Sequence, residues 1–586
     1  MTKIFWRGGA ACVAGLMLAM AAPAAAQSPR PHLASAVAAY EAIALPLEDP
    51  VSVGAQWTLP DVTPAAVAAR QAGYTRVRAD LDRVDPAALS ASERLTRELL
   101  IWTLNEKLAG AAFDEERLPF SSDGGFDTTL LYRADAARIT NETDAGRWIA
   151  LLDQVPAWYA ANIANARRGV QTGFVQPMVT TQGVLARARR AAETPMADDP
   201  LLAPLKALPA SIPAARQAAL LQEGQAAIAR SVAPARASFV TFLEGEYLPR
   251  AGASLAVSDL PGGQAYYAWL VRSHTTTDMT PDQVHDLGLR EVARIRAAME
   301  TVKAEAGFTG DMAAFRAFLR TDDRFYATTR QQLLEKASEI AKRVDDRLPA
   351  HFRTLPRLSY GVRPVPAAIE EGYTTGRYFE GSTEQGRAGG LMINTSALRE
   401  RPLYELPALV LHEGAPGHHI QISLAQEQAA VPTFRRSLYV NAFGEGWGLY
   451  SEWLGEGMGL YRDPYEKFGR LSYEMWRACR LVADTGLHAR RWTMEQARAC
   501  FAENTALSPV NIEVELQRYV SWPGQALSYK VGELKLIELR RRAEAALGDR
   551  FDERDFHDAV LLNGSLPLAV LEREIDGWIA ARRAGG

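Results

Sequence analysis

The chain has 586 residues, more than one hydrophobic core serves, so two to four lobes are expected. Hydrophobic residues make up 48% and charged residues 23%, the balance of an ordinary globular protein. With 65 basic against 69 acidic side chains and no basic block, nucleic acid is excluded as an expected partner.

In chain order, the first segment reads as a targeting signal. "MTKIFWRGG" carries Lys3 and Arg7, "AACVAGLMLAMAAPAA" is an apolar run, and "AAAQ" offers a small-residue cleavage site near Ala26. Residues 1–26 are therefore expected to be a secretory signal peptide, and the mature protein exported, periplasmic or secreted. Cys12 opens the apolar run rather than coming after it, which argues against a lipid anchor. No later stretch reaches the roughly 18 apolar residues of a spanning helix, so no membrane span is expected in the mature chain.

Helical signals dominate the mature chain. Residues 63–84 open with Thr63 and Pro64, a cap before proline at the first helical position, and 280–307 repeat that opening with Thr280 and Pro281. Three-to-four spacing of apolar residues marks 91–108, 330–348 and 527–547. The best strand signal is "LMINTS" (391–396), after Gly389 and Gly390. It is expected to be an edge strand along which substrate lies, or else part of a turn. Pro- and Gly-rich joints near 195–213, 250–263 and 355–390 suggest an N-terminal helical lobe over 27–255 and a C-terminal lobe over 256–586.

"HEGAPGHH" (412–419) holds three of the nine histidines. The common zinc motif H-E-x-x-H sets two histidines four apart on one helical face. Here the fourth residue after His412 is Pro416. In an unbroken helix His412 and His418 would point about 120° apart, and His412 and His419 would lie about 10.5 Å apart along the axis. A zinc ion holds its ligands at about 2.0–2.2 Å. The helix must therefore break between them, and Gly414, Pro416 and Gly417 permit that. "GEGWGLY" (444–450) comes about one helical hairpin later, with Glu445 in the place of a third, carboxylate ligand. Two histidines and a carboxylate leave the open position of a catalytic zinc.

The segments "HEGAPGHHIQ" (412–421), "FGEGWGLYSE" (443–452), "RLVADTGLH" (480–488), "RYVSWPGQALSYKVG" (518–532) and "FHDAVLLNGSLPL" (556–568) together resemble the bacterial domain-of-unknown-function family 885. A weaker match is "LPGGQAYYAWLVRSHTTTDMTP" (260–281). That family is placed in the zincin-like metallopeptidase clan. The resemblance implies a mainly α fold, with two helical lobes around a zincin-type active-site cleft and a small β-sheet. It makes 256–586 the zincin-like catalytic lobe and implies a zinc-dependent peptidase or amidase.

The expected metal ligands are His412, His418 and Glu445, holding one zinc per chain, with His419 as the alternative to His418. Spacing alone does not separate the two, and the one not ligating is expected to face substrate. Glu413 is the expected general base, since a carboxylate next to activated water takes its proton. Glu452 reads as a partner of a ligand or as a solvated charge. Tyr529 is the candidate oxyanion donor, with Tyr519 and His488 behind it. Lys530, Arg480, Arg518 and His488 are candidate substrate contacts, and Asp484 lies four residues before His488, able to support it. Expected substrates are short peptides. The alternatives are other amides, including cell-wall peptides, or a non-catalytic binding protein that keeps the fold.

Cys479 and Cys500 are the cysteines beyond the leader. Helices expected over 466–486 and 493–504 should pair antiparallel across a short connection. The midpoint of the two cysteines falls in that connection, so they should face each other, either as a disulfide or as two buried thiols.

Overall fold

A computed structural model describes residues 29–48, 57–122, 124–366, 370, 373–383 and 386–585. The expected signal peptide lies outside these residues. Among the described residues no helix is long and apolar enough to cross a membrane.

The fold is mainly α-helical, with one three-stranded sheet. Helix α1 (Pro29–Glu48), α2 (Pro64–Asp82) and α3 (Ala91–Gly110) come first. Thr63 caps α2 by accepting from the Ala66 amide, and Ser90 with Glu93 forms a reciprocal box that starts α3. These helices belong to the larger of two hydrophobic clusters, together with residues from Val257 onward. The smaller cluster runs from Trp57 to Tyr247 and centres on aromatic residues such as Phe126, whose ring meets Tyr159 and Phe239 edge-on at 4.8 Å.

After the helices that build the smaller cluster come α4 (Gly263–Thr275), α5 (Pro281–Glu305) and α6 (Arg330–His351). The sheet is built from β1 (Tyr360–Pro364), β2 (Gly376–Phe379) and β3 (Gly389–Ile393), in spatial order β1-β3-β2. β3 pairs parallel with β1 and antiparallel with β2. It is therefore the central strand, buried along its length, and not the edge strand expected from "LMINTS". Both of its hydrogen-bonding edges are already used. The edges are β1 and β2, and β2 is the strand that meets Glu413.

The C-terminal helices are α7 (Leu406–Glu413), α8 (His418–Gln426), α9 (Asn441–Gly457), α10 (Pro464–Arg490), α11 (Met494–Asn504), α12 (Pro509–Ser521) and α13 (Ser528–Leu547). α10 is buried over most of its 27 residues and packs along α5. It runs a turn beyond Gly486, where the sequence suggested an end. Gly486 instead lies against the Trp492 ring, where a side chain would collide. α9 and α13 approach closely because Gly446 and Gly532 face each other and neither carries a Cβ. Cys479 of α10 and Cys500 of α11 are joined by a disulfide, with Cα atoms 5.7 Å apart.

Candidate metal centre

α7 stops at Glu413 because the chain turns back on itself over 414–417. The Gly414 amide still donates to the Val410 carbonyl (2.8 Å), but the Gly417 amide reaches the Leu411 carbonyl (3.0 Å). A Cβ on Gly417 would run into the carbonyl groups of Leu411 and His412, so only glycine allows this fold-back. The Ala415–Pro416 peptide is cis. The Trp447 indole of α9 donates to the Pro416 carbonyl (2.9 Å) and pins the turn. α8 then begins at His418, which returns beside His412.

The result is a compact cluster. Nε2 of His412 and Nε2 of His418 each lie 3.5 Å from Oε2 of Glu445, and one donor atom from each residue falls within 4.8 Å of the others. A distance of 3.5 Å is long for an N–H···O hydrogen bond, which sits at about 2.7–3.2 Å. It matches the edge of a coordination tetrahedron. Ligand bonds of about 2.0–2.2 Å at tetrahedral angles set donors about 3.3–3.6 Å apart. Two imidazoles and a carboxylate also form the mixed N/O donor set that zinc takes in catalytic sites. The residues present fit such an ion.

The surroundings orient these donors. His412 is 2% exposed and its Nδ1 donates to Oε1 of Glu452 at 2.8 Å, which turns its Nε2 toward the cluster. Glu452 is 1% exposed and also receives Arg477 at 3.2 Å, so it is a buried partner of His412 and not a solvated charge. Gly448, one turn before Glu452, lies directly beneath the His412 ring. Burial alone would raise the Glu445 carboxyl, but the two imidazoles outweigh it and hold it well below the usual range. Burial likewise opposes charge on His412, yet Glu445 and Glu452 raise it to about 9.

The cluster forms part of the wall of a 380 Å³ cavity. Glu413 lines the same cavity, and its Oε2 accepts the backbone N–H of Tyr378 on β2 at 2.8 Å. Tyr529 lines it as well, its ring stacked on His412 at 6.2 Å between centroids. The Arg480 guanidinium lies over the Tyr529 ring, 4.1 Å from its centre. Gly376, Arg377, Tyr439 and Trp522 contribute to the remaining walls.

Several expected site residues do other work. His419 does not face the cavity. Its Nδ1 meets the Tyr378 hydroxyl at 3.1 Å, its ring packs on Tyr360, and burial pushes its pKa down to about 4. Lys530 is fully buried among Glu474 (2.7 Å), Glu533 (2.5 Å) and Glu291 (3.2 Å), because one helical step turns it about 100° away from Tyr529. It is a buried counter-charge and does not line this cavity. His488 is also buried, with Nδ1 accepting from the Val257 amide (3.1 Å) and Nε2 donating to the Tyr519 carbonyl (2.9 Å). Asp484 does not support it. That carboxylate accepts from the Tyr267 hydroxyl (2.6 Å) and the Gly524 amide (3.0 Å). Tyr519 is spent on Trp476, Arg480 and Glu515. Arg480 does line the cavity, but it is 3% exposed and bound to Tyr519 (2.9 Å) and Glu515 (2.9 Å). Arg518 also lines the cavity and bonds Gln525 (2.6 Å) and Glu515 (3.0 Å).

Three residues were not singled out by the sequence. Tyr439 sits in the loop before α9, with no periodic pattern to place it, and its ring lies 6.3 Å from that of His418. Tyr378 contributes through its backbone, which no side-chain pattern reveals. Gly448 had a signal, the glycines spaced through "GEGWG", which mark a helix face too crowded for side chains.

The profile of a family described as "Bacterial protein of unknown function (DUF885)" matches residues 49–575. No curated protein matches the chain. Among solved structures, the putative lipoprotein from Colwellia psychrerythraea is 27% identical, with a TM-score of 0.87 over 94% of this chain and 99% of its own. A putative lipoprotein of unknown function from Shewanella oneidensis has the same coverage at 18% identity and a TM-score of 0.69, a likeness of fold.

Proposed function

The chain belongs to the DUF885 family of bacterial proteins, and from its His–His–Glu cluster we propose that it is an exported zinc-dependent peptidase of zincin type acting on short peptides. The observation that carries this is the pair of 3.5 Å separations from Glu445 to His412 and His418, with Glu413 in the same cavity. An exported location is supported by the leader-like residues 1–26 and by the two similar proteins described as putative lipoproteins.

His412, His418 and Glu445 would hold one zinc per chain. Zinc bound there supplies a Lewis acid for the scissile carbonyl and for the attacking water. Glu413 then acts as general base. The Tyr378 N–H fixes one carboxylate oxygen, which leaves the other to take the proton of the attacking water and pass it to the leaving amine. The Tyr529 hydroxyl is the donor for the developing oxyanion, its ring packed against His412 and Arg480. In the antiparallel pairing of β2 with β3, Tyr378 turns its N–H away from β3, and Gly376, two residues earlier, does the same. The N–H and C=O of Gly376 are placed to pair with the main chain of an extended substrate, which favours peptides over other amides.

The test is Glu413→Gln, which keeps shape and metal but removes the base. Activity on a peptide mixture, read by mass spectrometry, should fall about 100-fold or more with zinc content unchanged. Near-normal turnover would move the base elsewhere. Absence of zinc from the parent protein, with none taken up on reconstitution, would overturn the whole reading.

A further inference from the structure

Next to the metal cavity is a larger one, of 530 Å³. Its walls come from both hydrophobic clusters. Phe120 and Val175 belong to the smaller, and Tyr266, Trp269 and Leu270 to the larger. Arg377 and Trp522 line both cavities, so the two adjoin. A hydrogen bond of 2.8 Å also crosses the junction, from the Asn441 amide on the metal side to Nδ1 of His274 on the other. Volume, aromatic walls and a position between two cores are the marks of a ligand pocket.

We propose that this second chamber is a substrate subsite. It takes a bulky apolar side chain, aromatic above all, from an extended oligopeptide whose scissile bond lies at the metal. The inference rests on the peptidase reading and narrows its substrates to peptides longer than the dipeptide. Three observations carry it. The edge strand borders the junction, since Thr375, Gly376 and Tyr378 line the metal cavity and Arg377 between them lines both. A main chain paired along β2 passes this shared wall at Arg377, where one of its side chains can enter the larger cavity. The chamber itself suits side chains, because Phe120, Tyr132, Tyr266, Trp269 and Trp522 set aromatic rings among aliphatic walls and give large apolar contact area. Apart from Glu115 and Arg377, the polar groups there suit an uncharged backbone. Burial lowers the pKa of His274 to about 4, so it is neutral, and with Nδ1 accepting from Asn441 its Nε2 bears a proton to donate. Gln176 adds an amide to the wall.

Binding is measured by calorimetry on zinc-loaded Glu413→Gln protein, so that no peptide is consumed. The probes are octapeptides of glycine and serine with one phenylalanine moved through every position. One position should tighten Kd about tenfold or more, the effect of burying that ring. Ser273→Trp, which fills the chamber, should erase the preference, and Tyr132→Ala, which removes part of its wall, should weaken it. Melting curves identify which variants are folded. A flat phenylalanine scan, or a preference untouched in both folded variants, overturns the proposal. Hydrolysis by the parent protein is assayed separately. Phenylalanine-dependent binding without any hydrolysis would sink the peptidase reading and leave the chamber standing. Hydrolysis with a flat scan would do the reverse.

Discussion

Gly448→Ala tests the metal centre without touching a ligand. A Cβ built on Gly448 sits 2.7 Å from Cε1 and Nε2 of His412 and 2.9 Å from Nδ1. Carbon atoms rest about 3.5–4.0 Å apart, so the ring must retreat by roughly 0.8 Å or more. It has little freedom to do so, being 2% exposed and tied to Glu452 at 2.8 Å. Metal–ligand distances tolerate only about ±0.2 Å. The displacement is several times that, so His412 should cease to ligate while the helix stays intact. Losing an outer partner of a ligand costs about 10–100-fold in affinity. Losing the ligand should exceed that, and we expect zinc affinity to fall more than about 100-fold. The assay is competition with a chromophoric chelator, alongside elemental analysis after dialysis. Gly457→Ala is the control, on the same helix with nothing within 4 Å of the added carbon. It should bind zinc normally and gain up to about 1 kcal/mol from helix propensity. A Gly448→Ala protein that holds one zinc with parental affinity would refute the argument that His412 is a ligand in this position.

Three further outcomes are expected. Burial raises Asp484 to about 7 against roughly 3.9 in an unfolded chain, so the folded state holds its proton between those values. Its contribution to stability is complete below about pH 4 and is lost as pH rises through 7, and between pH 5 and 8 it should cost roughly 2–3 kcal/mol. Asp484→Asn keeps the acceptor for Tyr267 and Gly524, and denaturant melts should show a flatter pH dependence than the parent. Lys530→Met leaves Glu474, Glu533 and Glu291 short of a buried counter-charge and should destabilise by about 3–5 kcal/mol. KM for peptides should not change, and a KM effect without loss of stability would restore Lys530 as a substrate contact. The Cys479–Cys500 bridge closes a loop of 21 residues in sequence separation, worth about 3 kcal/mol. Protein from an oxidising compartment should resist alkylation under denaturing, non-reducing conditions, and two labelled thiols would rule the bridge out.

Which residues had to be close was legible in the chain itself. Six residues cannot bring His412 and His418 together on an unbroken helix, so Gly414, Pro416 and Gly417 had to mark a fold-back, and α7 does stop at Glu413. The cysteine pair was legible for a similar local reason, since two residues equidistant from a short turn lie opposite each other. What each residue faces depends instead on how the elements pack. His418 and His419 differ by one helical step, and only the path of the turn pointed one at Glu445 and the other at Tyr378. Tyr529 and Lys530 are likewise neighbours, yet one stacks on His412 and the other is enclosed by three glutamates contributed by α5, α10 and α13. β3 lost its expected place at the edge because β1 and β2 flank it on both sides, pairings that no local pattern encodes. Periodicity states which residues share a face of one element, and long-range packing chooses what that face meets.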